Sequence, residues 1–207
     1  SKYNVKIEGF YPKNMILYGP PGTGKTYHTI YYSVGIIEGK SYDVIVQEPY
    51  EDVLQRYTYY NQNGQVMFTT FHQSYGYEEF IEGIKPKLID SNLGSKGQDT
   101  KDDNLLYTLE PGKFKMFCKR ALGYMDNEQD ETKNFVFIID EWDCIFRENK
   151  NDMEAQKKYL DFLRNLLKDR NYVGLTYMTG ILPIKKYGSH SALNMFDEFS
   201  MTNPGAL

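Results

Sequence analysis

The sequence predicts a three-layer α/β fold, in which helices cover both faces of a mostly parallel central sheet. Three segments predict it: a glycine-rich loop at residues 19–26, and two largely apolar runs at 135–139 and 172–178 that precede polar residues. An apolar run without alternation is typical of a strand buried on both faces of a parallel sheet. The carboxyl ends of such strands meet at one edge, where α/β proteins bind their ligands.

The glycine-rich loop stands between the apolar residues 14–18 and a helical pattern, and it has the form G-x-x-x-x-G-K-S/T. In this context the form is that of a phosphate-binding loop rather than a turn with a chance lysine. Glycines let successive backbone N–H groups converge on phosphate oxygens, and the next helix adds unpaired N–H groups. We expect a P-loop NTPase fold that binds a nucleoside triphosphate. The expected nucleotide-binding residues are Gly19, Pro20, Pro21, Gly22, Thr23, Gly24, Lys25, Thr26 and Tyr27.

Side chains for catalysis are expected at the loop and at two strand ends. Lys25 is expected to reach the terminal phosphates, and Thr26 and Asp140 to hold Mg²⁺. Glu141 follows Asp140 at the end of the apolar run 135–139, and we expect it to orient and polarise the attacking water. Thr179 follows the run 172–178 and is expected to sense the γ-phosphate. Strand ends that carry solvated acids are the structural alternative for Asp140 and Glu141.

Composition indicates one globular domain over residues 1–207. Hydrophobic residues make up 41% and charged residues 25% of the chain, which is ordinary for a soluble protein. The net charge of −4 gives no overall attraction to nucleic acid or anionic membrane, although a local basic patch stays open. No signal-peptide pattern or apolar run of membrane-spanning length is present. We expect a cytoplasmic protein without membrane contact or a direct nucleic-acid motif, and a reduced Cys118 and Cys144.

The remaining elements are predicted from periodicity and turn residues. Helices are expected at 24–37, ending near a glycine, and at 48–60, where apolar residues share one side before the turn at 61–64. Amphipathic patterns predict helices at 111–125 and 153–168, the second with a capping box from Asn151 and Glu154. Short strands are expected at 43–47, 66–71 and 105–109, a short helix at 189–199, and polar loops at 90–104 and 126–133.

Three further features leave two interpretations open. Residues 7–11 either line the base pocket or form a loose N-terminal segment. His72, just after an expected strand, either faces the nucleotide or a partner, or is a structural histidine. Lys185 and Lys186 either contact phosphate or a partner, or are solvated.

Residues 14–141 resemble the AAA+ motor of McrB-type methylcytosine-dependent restriction systems. The resemblance is carried by NMILYGPPGTGKT at 14–26, FTTFHQSYGYEEFIEG at 68–83 and GKFKMFC at 112–118. It implies an AAA+/ASCE-type fold, with a second copy in a ring, or a nuclease or DNA-binding subunit, as partner. Because the residues after Glu141 depart from that family, its GTP preference is not carried over, and we expect ATP, with GTP as the alternative.

From residue 137 onward the chain is similar to the AAA-ATPase-like family linked to PD-(D/E)XK nucleases. The matching segments are IIDEWD at 138–143 and MTGILPIKKYGSHSALNMF at 178–196. We expect the chain to end about where a fifth strand and a helical lid would follow, so that the lid domain is absent. For an arginine acting on a neighbouring subunit, the candidates are Arg147, Arg164 and Arg170.

The expected function is Mg²⁺-dependent hydrolysis of a nucleoside triphosphate by the motor of a larger assembly, which the resemblance implies to be one of restriction or defence. Two alternatives stay open. One is a nucleotide-dependent switch or scaffold with little hydrolysis. The other is a phosphotransferase, which would need an acceptor pocket and a lid.

Overall fold

A computed structural model describes residues 11–12, 14–72, 76–88, 105–122, 134–168, 176–183 and 195–202. Within them the strands are β1 (Asn14–Tyr18), β2 (Val66–Thr70), β3 (Glu82–Leu88), β4 (Leu105–Pro111), β5 (Val136–Asp140), β6 (Thr176–Gly180) and β7 (Asp197–Ser200). The helices are α1 (Lys25–Glu38), α2 (Tyr42–Ile45), α3 (Tyr50–Gln62), α4 (Tyr77–Phe80), α5 (Lys113–Ala121), α6 (Cys144–Glu148) and α7 (Met153–Leu167). The predicted loops at 90–104 and 126–133 lie outside the described residues.

The central sheet has five strands in the order β2-β5-β6-β1-β7, and each pair of neighbours is parallel. An α/β fold with a parallel central sheet was predicted, and it is confirmed. The central strands expected to end near Tyr18, Thr70, Ile139 and Met178 all lie in this sheet, although residues 172–175 of the last one are outside the described part. β1 lies between β6 and β7, so the loop that follows Tyr18 has a neighbouring strand end on each side.

β7 corrects two predictions about the C-terminal part. A helix was expected through residue 199, and a fifth strand was expected to be missing, yet Asp197–Ser200 pairs in register with Met15–Tyr18. The physical reason is the exposed edge of β1, whose backbone groups gain hydrogen-bond partners when β7 extends the sheet. Phe199 also packs against the apolar cluster under the sheet.

Alternating residues of the central strands supply two apolar layers. On one face Met15, Leu17 and Tyr177 pack with Tyr32 and Ile36 of α1. On the other face Ile16 and Met178 pack with Leu163 and Leu167 of α7, together with Trp142. Both sides of the sheet are therefore covered, which explains the largely apolar sequences of the inner strands β1 and β5.

Two local predictions were wrong. Residues 43–47 were expected as a strand, but Tyr42–Ile45 is a single helical turn in which Val44 is exposed and only Ile45 is buried. A single helical turn is enough to bury this one side chain, so the segment does not need the alternating burial of a strand. The capping box at Asn151 is also replaced: Asp152 is the N-cap of α7, and its Oδ1 accepts a hydrogen bond from the Ala155 N–H at 2.9 Å.

A two-stranded ribbon stands apart from the central sheet. β3 and β4 are antiparallel, with Glu82 opposite Pro111 and Ile84 opposite Leu109. Ile84, Tyr107 and Leu109 of this ribbon are exposed. β4 was predicted, whereas β3 was missed; Pro86 lies inside it, and a proline within a run argues against a strand. Among the described helices, none is long and apolar enough to span a membrane.

Candidate functional site

The glycine-rich loop at residues 19–26 connects the end of β1 to the start of α1. Two of its glycines have left-handed backbone: φ is 81° at Gly22 and 86° at Gly24, the N-cap of α1. A residue with a side chain would be strained at either position, which explains why glycine is needed there. Pro20, Pro21, Gly22, Thr26 and Tyr27 are exposed, whereas Gly19 is buried.

Neighbouring strand ends hold the loop at its beginning. The Gly19 N–H donates to the carbonyl of Gly180, the last residue of β6, at 3.1 Å. The Met201 N–H, just after β7, donates to the Tyr18 carbonyl at 2.9 Å. Within the loop, Thr23 Oγ1 donates to the Pro20 carbonyl at 2.8 Å. These bonds fix the entry to the loop, and the exposed residues are left facing solvent.

The ammonium group of Lys25 lies across the loop. Its Nζ donates to the carbonyl oxygens of Gly19 at 2.8 Å and of Pro20 at 3.0 Å. Both acceptors are neutral carbonyls. Among the described residues, no carboxylate forms an ion pair with Lys25. The amino group is thus placed at the same loop whose backbone N–H groups are expected to bind phosphate.

Asp140 and Thr179 meet at the carboxyl ends of β5 and β6. The Thr179 hydroxyl donates a hydrogen bond to Asp140 Oδ1. Thr179 is buried, and Asp140 is partly exposed. Thr26 and Asp140, the two predicted metal ligands, share no hydrogen bond with each other in the described structure, and the Thr26 side chain is on the exposed first turn of α1.

Glu141 occupies a strained backbone position. Its φ is 55°, and among the described residues it alone has a positive φ without being glycine. Such a conformation is uncommon for a residue with a long side chain. Its carboxylate forms an ion pair with Arg147 of α6. Burial raises the pKa of the Glu141 carboxyl, and the charges of Arg147 and Lys25 act in the opposite direction. Glu141 is therefore within electrostatic range of both the loop lysine and Arg147.

Asp143 and Trp142 were not identified from the sequence as site residues. The Asp143 carboxylate is fully buried, and its Oδ2 accepts hydrogen bonds from the N–H groups of Ile181 at 3.0 Å and Leu182 at 2.8 Å. The Trp142 N–H donates to the Thr179 carbonyl at 3.2 Å. The burial of an acid cannot be recognised from sequence. The spacing of Asp143, three residues after Asp140, and of Arg147, four residues after Asp143, was a usable signal.

The candidate arginines differ in their surroundings. Arg147 forms an ion pair with Glu141 of the same chain, and its Nε lies 3.5 Å from Asp143 Oδ2. Arg164 pairs with Asp161 on the surface of α7 at 3.0 Å. Arg170, like Lys185 and Lys186, lies outside the described residues. Of the two candidates that the structure describes, Arg147 is the one that contacts the candidate site.

Aromatic side chains lie beside the first turn of α1. Tyr27 is 42% exposed and stacks on Tyr50, with ring centroids 4.7 Å apart. Its hydroxyl lies 3.1 Å from that of Tyr31. Tyr11, a candidate for the base pocket, instead donates to the Lys40 carbonyl near the end of α1 at 2.6 Å. Residues 7–10 are outside the described part.

His72 lies two residues after Thr70, the end of β2, which pairs with Asp140 of β5. It is exposed, and it lines a cavity together with Glu78 and Glu79, Lys85 and Lys113. The described residues include no group of three or more histidine, cysteine or acidic side chains that could hold a metal ion. Cys118 and Cys144 are free thiols, and burial raises the pKa of each to about 11, so neither is a reactive thiolate at neutral pH.

The chain is similar in sequence to part of a known restriction enzyme subunit. No family model matches the chain. Over 132 residues it is 33% identical to the EcoKMcrB subunit of a type IV methyl-directed restriction enzyme from Escherichia coli strain K12. The match covers 62% of this chain and 19% of that subunit. The chain is thus similar to part of an McrB subunit and spans less than a quarter of its length.

Proposed function

We propose that this chain is a Mg²⁺-dependent nucleoside triphosphatase of the AAA+/ASCE type. One observation carries the proposal: two consecutive residues at the end of β6 contact the two predicted motifs. The Thr179 hydroxyl bonds to Asp140, and the Gly180 carbonyl accepts from Gly19 of the phosphate-binding loop. The loop and the acidic strand end, which are over 110 residues apart in sequence, are therefore held at one edge of the sheet.

Phosphate binding is assigned to the loop from Gly19 to Thr26, with Tyr27 beside it. The exposed backbone N–H groups and the first turn of α1 provide the donors that phosphate oxygens need. In this proposal the Lys25 ammonium leaves the carbonyls of Gly19 and Pro20 and binds the terminal phosphates. A charged acceptor makes a stronger hydrogen bond than two neutral carbonyls, so phosphate favours that movement.

Mg²⁺ fits the donors available at the site. Thr26 and Asp140 offer a hydroxyl and a carboxylate, and Mg²⁺ prefers such oxygen ligands, with waters and substrate phosphates completing its shell. When bound, the ion would neutralise charge on the phosphate oxygens. Thr179 would hold the Asp140 carboxylate in a fixed orientation, because its hydroxyl already donates to Oδ1. Thr179 is also the group proposed to sense the γ-phosphate.

Glu141 is the proposed residue that orients the attacking water. It directly follows Asp140, the last residue of β5, and its left-handed backbone conformation departs from the extended backbone of that strand. Phosphoryl transfer depends mainly on positioning and charge stabilisation, so one oriented carboxylate is sufficient for this role. Lys25, Glu141 and Thr179 are thus the proposed catalytic residues.

The similarity to an McrB subunit supports a role in a larger assembly. We propose that the chain acts as a motor module in a restriction- or defence-related complex, together with further copies of itself or with a nuclease or DNA-binding subunit. The resemblance of residues 137–207 to the nuclease-linked family points the same way and stays a prediction. ATP is the proposed substrate, with GTP as the alternative.

Titration with fluorescent ATP and GTP analogues, with Mg²⁺ and with EDTA, tests binding in wild type, Lys25→Ala and Lys158→Ala. Lys158 is a matched control because its ion pair in the described part of the chain is with Glu154, on the exposed side of α7. We expect tight Mg²⁺-dependent binding in wild type and in the control, and at least a tenfold weaker affinity in Lys25→Ala. Equal affinity in all three proteins would contradict the proposed site. Binding without phosphate release at any protein concentration would instead indicate a switch or scaffold.

A further inference from the structure

Arg147 connects two carboxylates that have different surroundings. Its guanidinium forms an ion pair with Glu141 Oε2, and its Nε lies 3.5 Å from Oδ2 of Asp143. Glu141 is partly exposed at the candidate site, whereas the Asp143 side chain is completely buried. Arg147 therefore joins a group at the reaction site to one inside the protein.

Asp143 in turn holds the segment that follows β6. Its Oδ2 accepts from the N–H groups of Ile181 and Leu182, at 3.0 and 2.8 Å. A buried carboxylate needs such donors and a cation nearby, because its desolvation is otherwise costly. Asp143 thus ties the residues next to Thr179 and Gly180 to the helix that carries Arg147.

The backbone between Glu141 and Asp143 is held from both sides. The Trp142 N–H donates to the Thr179 carbonyl at 3.2 Å, and the Trp142 carbonyl accepts from the Tyr159 hydroxyl of α7 at 2.6 Å. The left-handed conformation of Glu141 therefore sits between two fixed points. Strained backbone persists only where the surrounding structure holds it in this way, and it is concentrated at functional sites.

We propose that Asp143 and Arg147 are positioning residues for triphosphate hydrolysis, which hold the Glu141 carboxylate and the Thr179 end of β6 in one fixed arrangement. This inference rests on the proposed function. Arg147 binds Oε2 of Glu141, and the described structure gives no hydrogen bond to Oε1. One carboxylate oxygen is thus fixed by Arg147, and the other is left to accept a hydrogen bond from the attacking water.

The charges around Glu141 are consistent with a positioning role for Arg147. Asp140 and Asp143 lie near the Glu141 carboxylate and repel it, whereas Arg147 and Lys25 attract it. In the proposed mechanism Lys25 turns to the terminal phosphates, so Arg147 stays as the cation that holds Glu141. Without Arg147 the carboxylate would lose its fixed orientation, and the Asp143 carboxylate would lose its nearby cation.

The test compares Arg147→Met, Arg147→Lys and Asp143→Asn with Arg56→Met as the matched control. Arg56 also bridges two carboxylates, Glu38 and Glu48, and its side chain is 29% exposed, as is that of Arg147. Arg56 lies on α3, outside the proposed site. Phosphate release at saturating nucleotide, nucleotide Kd and Tm are measured for each protein, and rates are referred to the nucleotide-binding fraction.

We expect Arg147→Met to lower kcat by about 10- to 100-fold with an unchanged Kd, which is the usual loss when a partner of a functional carboxylate is removed. Arg147→Lys should restore part of the rate, because lysine keeps the charge but not the two-sided geometry. Asp143→Asn keeps an oxygen for Ile181 and Leu182 but loses the charge that faces Arg147, and it should also lower kcat.

Three results would overturn the inference. In the first, kcat of Arg147→Met falls no further than that of Arg56→Met while wild type is active, and the proposed function then stands without it. In the second, Arg147→Met is faster than wild type, which would mean that Arg147 restrains Glu141. In the third, wild type neither binds nor hydrolyses nucleotide, and the proposed function fails as well.

Discussion

The hydroxyl of Thr179 donates a hydrogen bond to Oδ1 of Asp140, so the ends of β6 and β5 are joined through side chains as well as through the sheet. An aspartate that is expected to bind a metal is thereby given one orientation. Partners of this kind are energetically important because they orient a ligand before the metal arrives. Thr179 is buried, so water does not readily replace it.

Thr179→Val should lower kcat by about 10- to 100-fold, because it removes the donor that orients Asp140. Nucleotide affinity should change little, since the loop and Lys25 are untouched. The measurement is steady-state phosphate release beside a binding titration. Thr176→Val is the matched control: it lies on the same strand, and its buried hydroxyl has no hydrogen-bond partner within the described structure. Equal kcat in the two variants would argue against the assigned role of Thr179.

Gly180→Ala should destabilise the protein through a steric clash. An added Cβ would lie 2.6 Å from Trp142 Nε1 and 2.8 Å from Asp143 Oδ1, two atoms in a fully buried region. Overpacking of this kind costs about 1–3 kcal/mol, and we expect Tm to fall by several degrees. Gly76→Ala is the control, because the nearest atom to its added Cβ is 4.0 Å away. A Tm for Gly180→Ala equal to that of the control would mean that Trp142 and Asp143 yield easily.

Glu48→Gln should lower stability more at pH 7 than at pH 3. The hydrogen bond from Lys40, with Arg56 nearby, lowers the pKa of the Glu48 carboxyl in the folded protein. Its stabilisation is therefore present above the unfolded value, about 4.3, and is lost as the pH falls through the lower folded value. Because the group is near the surface, we expect an effect of at most about 1 kcal/mol at pH 7.

Thermal unfolding from pH 7 to pH 3 measures the difference in Tm between wild type and Glu48→Gln. Glu154→Gln is the comparison variant, because its carboxylate pairs with Lys158 and both side chains are at least 75% exposed. Its difference from wild type should be close to zero throughout. A Glu48→Gln difference of the same size at pH 3 as at pH 7 would show that the carboxylate charge is not its cause.

The parts of the candidate site that are contiguous in sequence leave local signals in that sequence. The glycine-rich loop at residues 19–26 needs glycine at fixed positions, and the φ values of Gly22 and Gly24 show why. The strand that ends at Asp140 was visible as an apolar run, because both faces of the sheet are covered. These features depend on local backbone and burial, which leave a direct trace in the sequence.

The rest depended on contacts between distant segments. β7 forms because the edge of β1 is open, and nothing in the residues 197–200 themselves requires a strand. The ion pair of Arg147 with Glu141 depends on the left-handed turn at Glu141. The burial of Asp143 depends on the N–H groups of Ile181 and Leu182, 38 and 39 residues further along. Such relationships are properties of the assembled sheet edge.

The most direct test is phosphate release from ATP and from GTP by wild type and Glu141→Gln, across protein concentrations and beside binding titrations. We expect the variant to bind nucleotide as tightly as wild type but to lose at least about 100-fold in kcat, the usual contribution of a positioned general base. Wild-type activity per chain that rises with concentration would indicate self-assembly. Turnover by Glu141→Gln equal to that of wild type, with equal binding, would contradict the assignment of Glu141 and the catalytic site built around it.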